Sequence, residues 1–229
     1  MSILDHTVQL QQLSTQWTSQ SKSSYPVHVT AAEPRTDKGR ATRNRVLDAA
    51  TALVFERGVA GTTLDDVRAA ANVSKGQLYH YFADKDDLVH AVIDRTVQQV
   101  LGAQPALADL SSWAAIAAWF DDLVQLQLDR DGIGGCPIGS LAGELAETDE
   151  QARTELAAGF DRWEAPLREG LRQMQAEGKL RRGAHPARLA TATLAAIQGG
   201  LVLTQTRRDP QQLRIALDAA YAYLRSFAA

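Results

Sequence analysis

The stretch Ser74-Lys75-Gly76-Gln77-Leu78-Tyr79-His80-Tyr81-Phe82 carries the side chains of this chain best suited to touching a charged polymer. Ser74 with Gln77 three residues later is a capping box, so a short helix opens there and runs to about Phe82. At about 100° per residue, Leu78, Tyr81 and Phe82 fall on one side, and Gly76, Tyr79, His80 and Ala83 on the other. The first side can be buried. The second offers close approach at Gly76 and donors that reach phosphates and base edges, which is what a helix entering a major groove needs. Lys75 stands at the helix start, a poor place for a cation unless a phosphate is near. Thr63 and Ser74 leave backbone N–H groups near helix N-termini, where phosphate oxygens are well received. Upstream, Arg35, Lys38, Arg40, Arg43 and Arg45 face only one acid, Asp37. This basic run, Arg43 included, leads into a helix and could touch a phosphate backbone, although most such runs are simply solvated helix starts.

The elements that position these residues are helical. From Lys38 onward Leu, Ala, Gln, Arg and Glu dominate and no sustained alternation marks a strand. A first helix is expected over about Gly39–Arg57, with an apolar stripe of Val46, Ala50, Leu53 and Val54 and a stop at Gly58. Thr63 with Asp66 caps a helix to Ala71, Asn72-Val73 makes a tight turn, and Asp84 caps a helix to about Leu101. Helix, short turn, helix is the helix-turn-helix pattern. Further helices are expected over Ser112–Asp129, Ile138–Ala146, Asp149–Glu177, Pro186–Arg207 and Pro210–Phe227. Thr148 with Gln151 reads as another capping box, and Asp131 to Pro137, holding three glycines and a proline, reads as a loop. The fold class is therefore all-α.

Composition narrows the functions further. The chain has 229 residues, 45% of them hydrophobic and 22% charged, with a net charge of −3. That suits an ordinary globular protein and does not oppose a local basic face. A single cysteine forms no internal disulfide, and five scattered histidines make no metal-ligand pair. No cofactor or metal is implied. No apolar run approaches the ~20 residues of a membrane helix, and the polar start lacks a secretory pattern, so a cytoplasmic protein off the membrane is expected. An enzyme is disfavoured: there is no H-E-x-x-H, no Walker loop and no G-x-S-x-G, and glycine-rich Gly132–Gly139 lacks the Lys-Ser/Thr of a phosphate loop.

In order and spacing, Thr62-Thr63-Leu64-Asp65-Asp66-Val67, Ala69-Ala70-Ala71-Asn72-Val73-Ser74-Lys75-Gly76-Gln77-Leu78-Tyr79-His80-Tyr81-Phe82 and Asp84-Lys85-Asp86-Asp87-Leu88 resemble the DNA-binding domain of TetR-type transcriptional repressors. The resemblance covers roughly Lys38 to Leu101. It implies that Lys75 and Gly76 approach bases, that Gln77 does so or serves as a cap, and that Tyr79, His80 and Lys85 contact phosphates with Thr63 and Ser74 donating nearby. Leu78 and Phe82 would be core. It also implies a three-helix DNA-binding domain (37–84) and a helical effector-binding and dimerisation domain (85–229). Residues 1–36, with Gln, Ser and Thr clusters, few large apolar residues, and Pro26 and Pro34, read by composition as a flexible N-terminal arm, with an arm that folds onto the body or touches a partner as the alternative.

Such a protein would be a ligand-responsive repressor that binds a palindromic operator on double-stranded DNA as a homodimer and is released by a small, mostly apolar effector. Trp113, Trp119, Phe120, Leu123, Phe160, Trp163 and Met174 are the large groups available to a pocket between bundle helices, of which Trp113, Phe120, Leu123, Phe160 and Trp163, together with Cys136, are the ligand candidates. Plain core is the alternative fate of each. Cys136, near a helix N-terminus, is either a sensor thiol for oxidants and electrophiles or a small buried hydrophobe. Leu189, Thr193, Ala196, Ile197, Gly200 and Leu201, then Leu213, Leu217, Ala220, Tyr221 and Leu224, recur at helical spacing and are expected to pair across a two-fold axis, with Leu189, Thr193, Ile197, Leu201, Leu217 and Tyr221 as the interface. A helical interaction module that has lost DNA binding is the remaining alternative, and the intact Ser74–Phe82 pattern argues against it.

Overall fold

Thr36, Thr63, Ser74, Asp84, Ser112, Cys136 and Asp149 each accept the backbone N–H three residues on, and each opens a helix. The computed structural model describes Pro34 and residues 36–229. Among these the α-helices are α1 (Asp37–Arg57), α2 (Leu64–Ala70), α3 (Lys75–Tyr81), α4 (Lys85–Gly102), α5 (Trp113–Leu128), α6 (Pro137–Leu145), α7 (Glu150–Ala176), α8 (Pro186–Arg207) and α9 (Gln211–Arg225), with a 3₁₀ turn at Pro105–Ala108. Apart from one isolated bridge between Leu180 and Ala228, no strand pairing occurs among the described residues. The fold is all-α. The arm expected over residues 1–36 lies outside the described residues, except for Pro34 and Thr36, and so does Arg35.

One expected cap is displaced. Asp149, not Thr148, caps α7 by accepting from Ala152 N–H at 2.9 Å. Thr148 instead donates its hydroxyl to the Leu145 carbonyl, and Gln151 donates to Glu155. A carboxylate is the stronger acceptor for a helix N-terminus, and it stands one residue later.

Helices α1, α2 and α3 close on a small core of Val46, Leu47, Ala50, Val67, Leu78 and Phe82. Between α2 and α3 the chain turns at Asn72, whose φ of 50° is a conformation that asparagine tolerates better than most residues. Helix α4 packs on α1 and also on α6 and α7, so it belongs to both halves of the protein. Arg95 on α4 fixes that crossing by reaching Asp48 and Asn44 on α1, each at 2.8 Å. Behind these, α7, α8 and α9 pack in sequence, and α9 returns to α5.

Helix α8 departs from two expectations. By length and composition it is apolar enough to cross a bilayer, contrary to the expectation that no run reaches that length. Here its apolar stripe is spent on packing: Leu189, Ala190, Ile197 and Leu201 are buried with Thr193 and Thr204, against α7 and α9. For the same reason Leu189, Thr193, Ile197 and Leu201, with Leu217 on α9, are not an exposed pairing face. A side chain that already fills the protomer's core has no surface left for a second copy. Tyr221 is half-buried and donates its hydroxyl to the Trp113 carbonyl at 3.2 Å. The apolar surface that α8 and α9 leave outward lies elsewhere, at Val202, Leu203, Ile215 and Tyr223.

Candidate DNA-binding helix and ligand cavity

Helix α3 has only seven residues, too few to hold together on propensity alone. Its start is fixed by a reciprocal cap: Ser74 Oγ accepts from Gln77 N–H at 3.2 Å, and Gln77 Oε1 accepts from Ser74 N–H at 2.9 Å. Its inner side is anchored by Leu78 and Phe82, both fully buried, while Tyr81 is half-buried. The opposite side carries Lys75, Gly76, Tyr79 and His80, all exposed, with Tyr79 at 46%. Lys75 Nζ lies 5.8 Å from the Tyr79 ring centroid, and His80 meets Tyr81 edge-on at 4.9 Å. A Cβ added at Gly76 would meet nothing within 4 Å, so the protein itself does not require glycine there.

The other sequence candidates divide by how their polar atoms are used. Gln77 spends its carbonyl oxygen on the cap. Ser74 keeps its hydroxyl proton without an acceptor among the described residues. Thr63 has given both of its donors to Asp66: its hydroxyl donates at 2.6 Å and its backbone N–H at 3.1 Å to the same Oδ2. These contacts hold the Asp66 carboxyl below its ordinary value. Thr63 therefore fixes α2, and in this arrangement it has no donor left for a phosphate. Lys85, half-exposed, opens α4. Arg43 is half-buried, with its guanidinium 5.3 Å from the Phe82 ring centroid and its Nε buried without a partner among the described residues. The basic start of α1 thereby packs against the end of α3.

A cavity of about 830 Å³ lies between α1 and the helices behind it. Ala52, Val54 and Phe55 of α1 form one wall. Thr96, Gln99 and Val100 of α4 form a second, and Leu123, Gln127, Leu141, Trp163 and Leu201, from α5, α6, α7 and α8, close it behind. Among the sequence candidates, Leu123, Cys136 and Trp163 line it, and Leu201, expected at a dimer face, lines it too. Trp113, Phe120 and Phe160 do not. Trp113 lies under the Arg225 guanidinium at 4.8 Å and edge-on to Tyr221, Phe120 is core beside Trp119 and Tyr221, and Phe160 packs against the core half-buried. Met174 is likewise fully buried core. The residues missed from sequence were mainly those of α1, together with Gln104 and Gln127. Only the structure shows that these two glutamines are buried, and a buried polar side chain needs a reason.

Gln104 has that reason within the fold. Its Oε1 accepts both indole N–H groups, from Trp119 at 3.0 Å and Trp163 at 3.1 Å, and its Nε2 donates to the Val100 carbonyl at 2.8 Å. Cys136 caps α6, its Sγ accepting from Gly139 N–H at 3.3 Å. Burial pushes its thiol up, outweighing that hydrogen bond and the others that oppose it. The helix N-terminus thus does not activate Cys136, and its surroundings are those of a small buried hydrophobe.

A single carboxylate joins the cavity wall to the DNA-binding segment. Glu144 on α6 lines the cavity and accepts the backbone N–H groups of Val59 at 3.0 Å and Ala60 at 2.8 Å. These residues lie in the connection from α1 to α2. Gly58 there has φ 75°, and an added Cβ would come 3.2 Å from the same carboxylate.

Known proteins fit this arrangement. Residues 46–92 match the profile of the bacterial regulatory proteins of the tetR family, and residues 112–219 match the LmrA/YxaF-like transcriptional regulator C-terminal domain. The chain is 31% identical over 182 residues to an HTH-type transcriptional regulator in the lacX 3′ region of Lactococcus lactis, covering 78% of this chain and 91% of that protein. It is 27% identical over 174 residues to the HTH-type transcriptional repressor DhaR of Mycobacterium sp. strain GP1, covering 75% of this chain and 86% of that one. A TetR transcriptional regulator from Chloroflexus aurantiacus superposes with a TM-score of 0.73 at 27% identity, over 84% of this chain and 98% of that one. All of these are regulators rather than enzymes. A capped helix-turn-helix with its polar side outward, two matching family profiles and relatives along most of the chain make this protein a member of the TetR family, a transcriptional regulator with a helix-turn-helix DNA-binding domain.

Proposed function

We propose that this regulator is a cytoplasmic repressor that binds a palindromic operator as a homodimer and lets go when a small, mostly apolar molecule fills the cavity. The observation that carries this reading is the shared wall: α1 of the DNA-binding segment and the helices behind it line one cavity, and Glu144 ties them across it. A ligand there contacts both halves at once. It shifts the population only as far as it binds the non-DNA-binding arrangement better. The domain division at about residues 84 and 85 then corresponds to the start of α4, which takes part in both halves.

On α3, Lys75 and Gly76 face bases, and Tyr79, His80 and the Ser74 hydroxyl face phosphates, with Lys85 and Arg43 beside them. One such helix reads only a few base pairs, so two copies about 34–36 Å apart, or a multiple of that, suit a palindrome. The second copy is best received on the outward face of α8 and α9. Ala192, Ala195, Gly199 and Val202 on α8 and Ile215, Ala219 and Ala222 on α9 are exposed, Val202 at 58% and Ile215 at 62%. Small residues let helices approach closely, and burying the two large side chains removes apolar surface from water. The similarity to DhaR, a transcriptional repressor, supports repression over activation.

Selection of bound duplexes from a random DNA pool, followed by sedimentation of the protein alone and on the winning duplex, tests this. The expected result is an inverted repeat occupied by two or four copies and a dimer in free solution. A direct repeat, or a monomer both free and on DNA, would sink the proposal.

A further inference from the structure

The chemistry of the walls limits what the cavity accepts, an inference that rests on the cavity being the effector site. Gln127 of α5 lines it and is 2% exposed. Its Oε1 is sealed from solvent and has no hydrogen-bond donor among the described residues. Gln104, the same residue type in the same cavity, has its oxygen filled by two indole N–H groups. Gln104 is thus spent on structure, whereas the Gln127 carbonyl is spare. A buried amide oxygen without a donor loses its water and gains nothing in return, so a ligand that supplies the donor recovers that loss. The last torsion of glutamine is soft, so the amide can turn toward a bound molecule without moving α5.

The buried walls also carry no charge. Asp48, Arg130 and Glu144 are the charged liners, and all are exposed. Asp48 is paired with Arg95, and Glu144 is held by two backbone N–H groups. The Cys136 thiol, pushed up by burial, adds no anion. A charged group at the buried end of a ligand would therefore lie unpaired in an apolar setting. We infer that the cavity takes a neutral molecule with an apolar body and at least one hydroxyl, and that this hydroxyl donates to Gln127. Arg130, exposed and without an ion pair among the described residues, is the one group that would favour an anion instead.

Three probes of one ring system separate these possibilities: 2-naphthol, naphthalene and 2-naphthoate, measured by equilibrium dialysis against the full chain. The expected result is that 2-naphthol binds about tenfold tighter than either of the others, the worth of one good hydrogen bond. Gln127→Leu should erase that advantage, leave naphthalene within about twofold, and not lower the melting temperature, because it removes an unmatched polar group. Tightest binding by 2-naphthoate, survival of the 2-naphthol advantage in Gln127→Leu, or no binding by any probe would overturn the inference. Ala52→Trp, which fills the cavity from α1, distinguishes the two levels of failure. If probes still bind to that variant, the cavity itself is not the site. If it blocks binding while Gln127→Leu changes nothing, only the assignment of the hydroxyl falls.

Discussion

Helices α3 and α8 use their surfaces in opposite ways. Helix α3 has seven residues, is fixed by a reciprocal cap, and buries Leu78 within itself and Phe82 at its end, leaving most of its length outward. Helix α8 has 22 residues and buries a full stripe of them inside its own protomer. In the first case the residue pattern points outward, to what the protein touches. In the second, the same kind of periodic pattern is consumed by the core, and the surface left for a partner falls on the small and apolar residues between. Helical periodicity therefore reports burial, and whether a chain or its partner does the burying has to come from the fold.

The contrast can be broken most sharply on α9. Leu217→Ala, at a fully buried position, should cost about 2–5 kcal/mol of stability, read as a large drop in denaturant midpoint. Its neighbour Ile215, replaced by Asp, should leave the protomer's melting close to wild type and dissociate the proposed dimer on a sizing column. If Leu217→Ala dissociates a still-folded dimer instead, the face has been assigned to the wrong side. Next in size is Glu144→Ala, which removes the acceptor of two backbone N–H groups between α6 and the α1–α2 connection. About 1 kcal/mol of coupling is at stake, so the response of DNA binding to a cavity ligand should fall roughly fivefold while affinity for that ligand holds.

A smaller effect belongs to Gly76→Ala. The added methyl meets no protein atom and improves helix propensity, so thermal stability should rise by about 0.5 kcal/mol while operator affinity falls. A rise in both would mean that DNA does not approach there. The smallest is a pH effect at the foot of α2. Asp66 has a lowered folded pKa, so its contribution is present above the ordinary aspartate value and is lost as pH falls through the folded one. The melting difference between wild type and Asp66→Asn should thus be seen at neutral pH, begin to shrink below about pH 4 and vanish only below the lowered folded value.

The DNA-binding segment was readable because its information is local. Caps at Thr63, Ser74 and Asp84 act over three residues, and the buried and outward sides of α3 follow from helical geometry. The cavity was less readable because it is assembled from six helices, with α1 and α4 among them. Leu123, Cys136 and Trp163 were identified, yet nothing in the spacing of Trp113, Phe120 or Phe160 says that they do not face the cavity. Glu144 had no local signal at all, since its two partners lie 85 and 84 residues away.

The central claim is that the outward side of α3 is the surface that grips DNA. It is tested most directly by fluorescence anisotropy with the selected duplex, comparing wild type with Lys75→Ala/Tyr79→Ala across a salt series, after checking that both melt alike. The expected result is a loss of affinity of about tenfold or more at moderate salt, with a shallower dependence on salt because a phosphate contact is gone. Equal affinity and equal salt slope in a variant that melts like wild type would contradict it.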